Sequence, residues 1–248
     1  MTRARTAVTA TAAGLWLAGC GTGIEHPVTE QGRHFRDLWS IFLPIAIAVV
    51  ALIWGLVVWS VVRYRRRSDA IPDQRQYHVP LEVIYTVVPL LIVAALFALS
   101  VGAERKITHV SDRPDERVTV VGFQWGWTFT YPDHGITVSG TADKPPLLVL
   151  PANRTTQLDL RANDVIHSFW VPRFLTKRDL IPGIENAIDV NPTEVGQWVG
   201  RCAEYCGLDH WRMNFEVQVV SPAEFARWVT AAEATNDPYS IPRPNEAR

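Results

Sequence analysis

The sequence predicts a membrane-anchored all-β protein, in which a hairpin of two transmembrane helices precedes a β-sandwich or barrel that ends in a C-terminal helix. Three observations predict it. Residues 38–62 and 83–103, 25 and 21 positions long, hold no Asp, Glu, Lys or Arg, and about 20 apolar residues carry a helix across a hydrocarbon core. After Arg105 the pattern turns to short alternating runs separated by Pro- and Gly-containing turns, which is the pattern of several half-buried strands. The segment Ser221-Pro222-Ala223-Glu224 then opens a helix, with Ser as N-cap, Pro at the first helical position and Glu placed to return a capping-box bond.

Composition excludes little. A chain of 248 residues has room for a domain with a real core. A net charge of -1 and the lack of a long basic run leave no electrostatic footprint for nucleic acid. Ten Trp residues suit membrane interfaces and docking surfaces, although they also fill ordinary cores. The three Cys residues divide into Cys20 alone and the close pair Cys202 and Cys206, a division that points to two separate jobs rather than a disulfide framework.

Residues 1–19 read as an export signal: Arg3 and Arg5, an uncharged stretch, then Leu17-Ala18-Gly19 before Cys20. The layout resembles a bacterial lipoprotein signal. That resemblance implies that Cys20 becomes the first mature residue and carries lipid, the alternative being an unprocessed signal with an incidental Cys. Residues 20–37 are then an extracytoplasmic segment, and residues 38–103 the transmembrane hairpin. Between the spans stand Arg63, Arg65, Arg66 and Arg67, and basic residues in short loops stay on the cytoplasmic side. The hairpin therefore turns inside a bacterial cell, with both chain ends outside. Glu82 opens the second span. It is either a first-turn carboxylate favoured by the helix macrodipole or, as an ionisable group at a membrane helix, part of a proton route.

Residues 104–234 form the exported domain, with strands expected at 118–123, 125–131, 147–150, 155–160, 184–190, 197–201 and 215–220. No fixed-period repeat indicates a propeller or solenoid. In the closing helix Phe225, Trp228 and Val229 share one face. Residues 235–248, with Pro238, Pro242 and Pro244, read as a tail.

The chemistry is concentrated in Cys202, Glu204, Cys206, His210 and Met213, a C-x-E-x-C-x3-H-x2-M run. Two thiolates, an imidazole and a thioether within twelve residues form a soft-metal donor set suited to copper. Zinc is the competitor, but a structural zinc site gains nothing from Met. His167, in Asn163-Asp164-Val165-Ile166-His167, adds a second imidazole from the most apolar setting of any His in the chain. Taken alone, such a His is more often a satisfied core histidine than a ligand.

Val165 to Pro172 together with the Cys202–Met213 run resemble the signature of cytochrome c oxidase subunit II, and the likeness extends through both spans and nearly the whole exported domain. The resemblance implies a cupredoxin-like Greek-key barrel that carries the binuclear copper centre CuA. It implies that Cys202 and Cys206 bridge two coppers, one completed by His167 and Met213, the other by His210 and the Glu204 carbonyl. The Glu204 carboxylate would face a magnesium ion shared with the haem-bearing subunit I; subunit III would complete the partners. Trp125, in Gly122-Phe123-Gln124-Trp125-Gly126-Trp127, would admit electrons from cytochrome c. Glu82, with Thr86 and Pro89, would stand at the entrance of a proton path, so that oxygen reduction at haem in subunit I is coupled to proton pumping.

Two departures stand out. The family usually has His where Phe123 stands and an aromatic residue where Gly126 stands. Acidic residues that hold a soluble basic cytochrome are sparse after Trp125, Asp133 being the nearest, so a membrane-bound cytochrome is the alternative donor. Three rival functions stay open. A quinol oxidase subunit would lack the ligands, a nitric oxide reductase subunit could share them, and a copper chaperone would want a labile, exposed site. No C-x-x-C-H haem attachment occurs, so any haem belongs to partners.

Overall fold

In a computed structural model of the chain, residues 24–67, 69, 71 and 74–235 are described. Cys20, the signal and the tail beyond residue 235 lie outside them. Helix α1 (Glu30–Arg63) has 34 residues and α2 (Val79–Ile107) has 29. At about 1.5 Å per residue both exceed the ~30 Å hydrocarbon thickness. Each outruns its charge-free stretch because its polar end turns lie beyond the apolar span, with Glu30, Arg33, Arg36 and Asp37 opening α1 and Glu104, Arg105 and Lys106 closing α2. The apolar windows have mean hydropathies of 2.9 and 2.5, and none of their residues is buried within the chain. Such surfaces need lipid or partner helices to cover them. The chain is a membrane protein with two spans.

The β domain comprises β1 (Glu116–Phe123), β2 (Gly126–Tyr131), β3 (Ile136–Thr141), β4 (Leu147–Pro151), β5 (Thr156–Ala162), β6 (His167–Val171), β7 (Thr176–Leu180), β8 (Asn186–Val190), β9 (Gly196–Cys202) and β10 (Asn214–Val220). They form two five-stranded sheets in the orders β3-β2-β1-β5-β8 and β4-β10-β9-β6-β7. The pairs β1–β5 and β4–β10 are parallel and the others antiparallel. The chain crosses between sheets after β3, β4, β5, β7 and β8, as expected of a cupredoxin-like Greek-key domain. Alternation drives the packing: β1 buries Glu116, Val118, Val120 and Gly122 and turns the residues between them outward. Trp127, Phe129, Phe169 and Phe215 fill the space between the sheets, with the Phe169 and Phe215 rings stacked at 4.9 Å and the Trp127 and Phe215 rings edge-on at 5.1 Å. Burying one such side chain is worth about 1.5–3 kcal/mol.

Helix α3 (Pro222–Thr235) is capped as its sequence predicts, with Glu224 N donating to Ser221 Oγ and Ser221 N donating to Glu224 Oε2. Phe225 and Trp228 pack on Tyr131, the Trp228 ring edge-on at 5.0 Å.

The segment before α1 is built into the β domain. Val28 N donates to Arg173 O, Thr193 N to Val28 O, and Glu30 N to Asn191 O at 2.8–3.2 Å. The Thr29 hydroxyl donates to Phe174 O and also accepts from Gly32 N, capping α1. The first helix is thereby clamped to the domain that it anchors.

Candidate metal centre

Four structural elements bring the donors together. His167 is the first residue of β6 and Cys202 the last of β9, and these strands pair with Phe169 opposite Cys202. Cys206 lies in the loop after β9. A single 3-10 turn, His210–Arg212, presents His210 and delivers Met213 just before β10. The loop is tied down by Cys202 N donating to Met213 O at 3.0 Å, Ala203 N to Ser168 O at 3.0 Å, and His210 N to Gly207 O at 3.2 Å. Gly207 has φ +115, and a Cβ there would lie 3.1 Å from the Trp125 ring. Only glycine serves both the backbone conformation and the close approach.

The donor atoms converge. Cys202 Sγ and Cys206 Sγ are 3.9 Å apart, Cys202 Sγ and His167 Nδ1 3.8 Å, Cys206 Sγ and His210 Nδ1 3.6 Å, and Cys206 Sγ and Met213 Sδ 3.6 Å. The Glu204 carbonyl oxygen lies 3.2 Å from Cys202 Sγ. A disulfide would need about 2.05 Å, so both thiols are free. In a four-coordinate site, metal bonds of about 2.0–2.3 Å place neighbouring donors about 3.3–3.8 Å apart, close to the spacing seen. Cys202, Cys206, His167 and Met213 are all buried. A buried cluster of soft donors, apart from the hard oxygen donors that Mg²⁺ or Ca²⁺ requires, fits copper.

Electrostatics divide the two thiols. Burial pushes the Cys202 thiol up, but its bonds to His167 and to the neighbouring backbone outweigh burial and bring it below the ordinary thiol value. The Cys206 thiol goes the other way, raised by burial and then by the Cys202 charge. A dithiol split in this way gives up its first proton readily and holds the second, which a bound cation would displace.

The other expected site residues fall in distinct places. Trp125 packs against the core beside the donor loop, and its Nε1 donates to Cys206 O at 3.0 Å; the Gln124 side-chain amide donates to the same oxygen at 2.8 Å. The Glu204 carboxylate lies 3.4 Å from Lys177 Nζ. Glu82 is in the first turn of α2, where Oε1 accepts from His78 N at 2.9 Å, so it caps the helix and belongs to no cluster with the sulfur donors. Sequence reasoning assigned no role to Asp164. One of its carboxylate oxygens lies 2.8 Å from His167 Nε2, and the other accepts from Gln124 N at 2.7 Å. The i−3 spacing of Asp164 from His167 was its only sequence signal.

The departures at 123 and 126 are linked. A Cβ on Gly126 would lie 2.2 Å from Gly140 O and 2.7 Å from the Phe123 ring. The Phe123 ring thus takes up space that a side chain at 126 would need.

Comparison with known proteins agrees with this architecture. Residues 22–102 match the transmembrane domain of cytochrome c oxidase subunit II and residues 140–220 its periplasmic domain. A probable cytochrome c oxidase subunit 2 from Streptomyces avermitilis is 37% identical, over 82% of this chain and 76% of the relative. The cytochrome c oxidase subunit 2 of Mycobacterium bovis is 30% identical, over 86% of this chain and 76% of the relative. Among solved structures, the periplasmic domain of subunit II of cytochrome oxidase from Bradyrhizobium japonicum is 32% identical, covering 50% of this chain and 98% of that one, with a TM-score of 0.46.

Proposed function

The chain belongs to the cytochrome c oxidase subunit II family, a subunit of an oxidoreductase, and from that premise we propose that it receives electrons from a cytochrome at a binuclear copper centre and passes them to haem in subunit I. One observation carries the reading: five sulfur and nitrogen donors from His167, Cys202, Cys206, His210 and Met213 meet with nearest spacings of 3.6–3.9 Å. The distribution of the terminal donors supports two metals rather than one. His167 and the Glu204 carbonyl lie beside Cys202, while His210 and Met213 lie beside Cys206. Cys202 and Cys206 would hold two coppers together, one with His167 and Met213 and the other with His210 and the Glu204 carbonyl, so that each ion would draw one further donor from beside each thiol. When bound, such a pair holds one electron shared between two ions, so that oxidation and reduction require little ligand movement.

The chain's own residues do the rest. Strands β6, β9 and β10 fix the ligands and keep water out, Trp127 closes the inner side by donating from Nε1 to Met213 O at 3.3 Å, and Trp125 supplies the entry ring. The donor is cytochrome c or a membrane-bound cytochrome. The Glu204 carboxylate would hold magnesium against subunit I, exchanging its contact with Lys177 for the ion, with subunit III completing the assembly. Glu82 stands at the proton-path entrance, where its cap to His78 would open to a partner, and oxygen reduction is coupled to proton pumping. The basic turn after α1 puts the hairpin loop in the cytoplasm of a bacterial cell and the β domain outside, with Cys20 as the lipid-bearing residue.

The test is to purify the full chain with the subunits that accompany it and to measure metals and spectrum. Two coppers per chain, a purple colour and a near-infrared band that bleaches on reduction are expected. A single zinc, or no metal after maturation with copper, would overturn the reading.

A further inference from the structure

Asp164 lies outside the donor set and touches both halves of the electron route. Oδ1 accepts from Val165 N at 2.7 Å and faces His167 Nε2 at 2.8 Å, while Oδ2 accepts from Gln124 N at 2.7 Å. An ionised carboxylate accepts only, so His167 donates to it from Nε2, and Nδ1 is the ring nitrogen turned toward Cys202 Sγ. The segment that Asp164 grips by its backbone, Gln124–Trp125, is gripped at its side chains by the Cys206 carbonyl. A further bond from Asn163 N to Gly122 O, 3.1 Å, closes the loop against β1.

We propose that Asp164 is a positioning residue that joins the entry segment to the metal centre, one oxygen setting the tautomer and orientation of His167 and the other fixing the backbone that carries Trp125. The inference rests on the copper reading above. Two consequences follow from its chemistry. A carboxylate hydrogen-bonded to a ligating imidazole makes that ligand more basic, and losing such a partner typically costs about 10–100-fold in metal affinity or activity. Its negative charge also favours the more oxidised centre. Because the side chain is 32% exposed, solvent screens part of that charge, whereas the two hydrogen-bonding arms act through contact.

Asp164→Asn separates the two roles. The amide oxygen still accepts from His167 and Val165, but the NH2 group cannot accept from Gln124 N, and the charge is gone. Asp164→Ala removes everything, and Asp112→Asn removes one exposed carboxylate elsewhere on the domain as a control. In the assembled oxidase, Asp164→Asn is expected to keep two coppers per chain. It should shift the oxidised-to-reduced ratio about tenfold toward the reduced form, about 59 mV upward for one electron, and slow reduction by the donor cytochrome more than reduction by a small chemical reductant. Asp164→Ala is expected also to weaken copper retention against a chelator about 10–100-fold and to alter the near-infrared band. If both variants match Asp112→Asn in potential, band and copper retention, the positioning role is overturned. If the unsubstituted protein holds no copper pair, the reading of the centre fails first and takes this one with it.

Discussion

The indole nitrogen of Trp125 donates to the carbonyl oxygen of Cys206 across 3.0 Å, so a partly exposed ring is joined by one hydrogen bond to the backbone of a thiol donor. Replacing that ring tests the entry role without touching a ligand. Trp125→Gln keeps an amide donor and discards the aromatic system. Reduction by the cytochrome donor is expected to fall by about an order of magnitude or more, an added barrier of about 1.4 kcal/mol per tenfold, while the copper spectrum stays that of the parent. Stopped-flow reduction measures the rate. An unchanged rate would move the entry point elsewhere on the β domain.

Met213 is fully buried, with Sδ 3.6 Å from Cys206 Sγ. Met213→Leu conserves volume, and such swaps usually cost less than about 1.5 kcal/mol, so the fold should survive. The thioether is lost, and a weak axial donor tunes the potential of a copper site. Changed near-infrared absorption and slower electron delivery are expected at full copper loading; unchanged oxidase turnover would count against Met213 as a ligand.

What the sequence disclosed and what it hid divide along physical lines. The two spans and the four sulfur and nitrogen donors Cys202, Cys206, His210 and Met213 were legible because an uncharged run and a dense soft-donor motif are local signals. Strands β3, β6 and β7 were missed. β3 and β7 are sheet edges, and the edge position lets β7 read Thr176-Lys177-Arg178-Asp179-Leu180 with only Leu180 buried, leaving no alternation to detect. β6 lies between β9 and β7 and is buried at every position but Trp170, so it too shows no alternation. Residues 28–30 read only as part of the extracytoplasmic segment 20–37, yet Val28 is fully buried, held by bonds to Arg173 and Thr193 more than 140 positions away. Asp164 escaped for the same reason: its partner Gln124 is 40 residues distant, and nothing in the sequence declares that pairing.

The coupled departures at 123 and 126 give a stability prediction. Gly126 pairs with Thr141 across β2 and β3, and an added Cβ would meet both Gly140 O and the Phe123 ring. Gly126→Ala is therefore expected to cost about 1–3 kcal/mol, as overpacking does. Adding Phe123→His, which restores a smaller ring, should recover only part of it because the Gly140 carbonyl remains. Denaturation of the full chain in detergent checks this; a double variant as stable as the parent would show that the ring alone sets the constraint.

Tyr131 makes alkaline stability measurable at one residue. Its hydroxyl donates to Val149 O and accepts from Val149 N, both at 2.9 Å, and the ring is fully buried. Burial raises its pKa well above the ordinary 10.0, the bond to Val149 opposing and the Glu116 charge adding to the rise. The folded state therefore keeps a proton that the unfolded chain gives up once pH passes 10. This contribution is complete below pH 10 and is lost above it by about 1.4 kcal/mol per pH unit until the folded hydroxyl itself ionises. Tyr131→Phe abolishes that slope, and it also leaves the Val149 amide and carbonyl without the hydroxyl, which costs about 1–3 kcal/mol. At pH 8 the variant is thus expected to unfold at lower denaturant than the parent, and the two midpoints should converge between pH 10 and about pH 12. Midpoints that stay equally far apart from pH 8 to about pH 12 would mean that Tyr131 carries no titrating share of the alkaline transition.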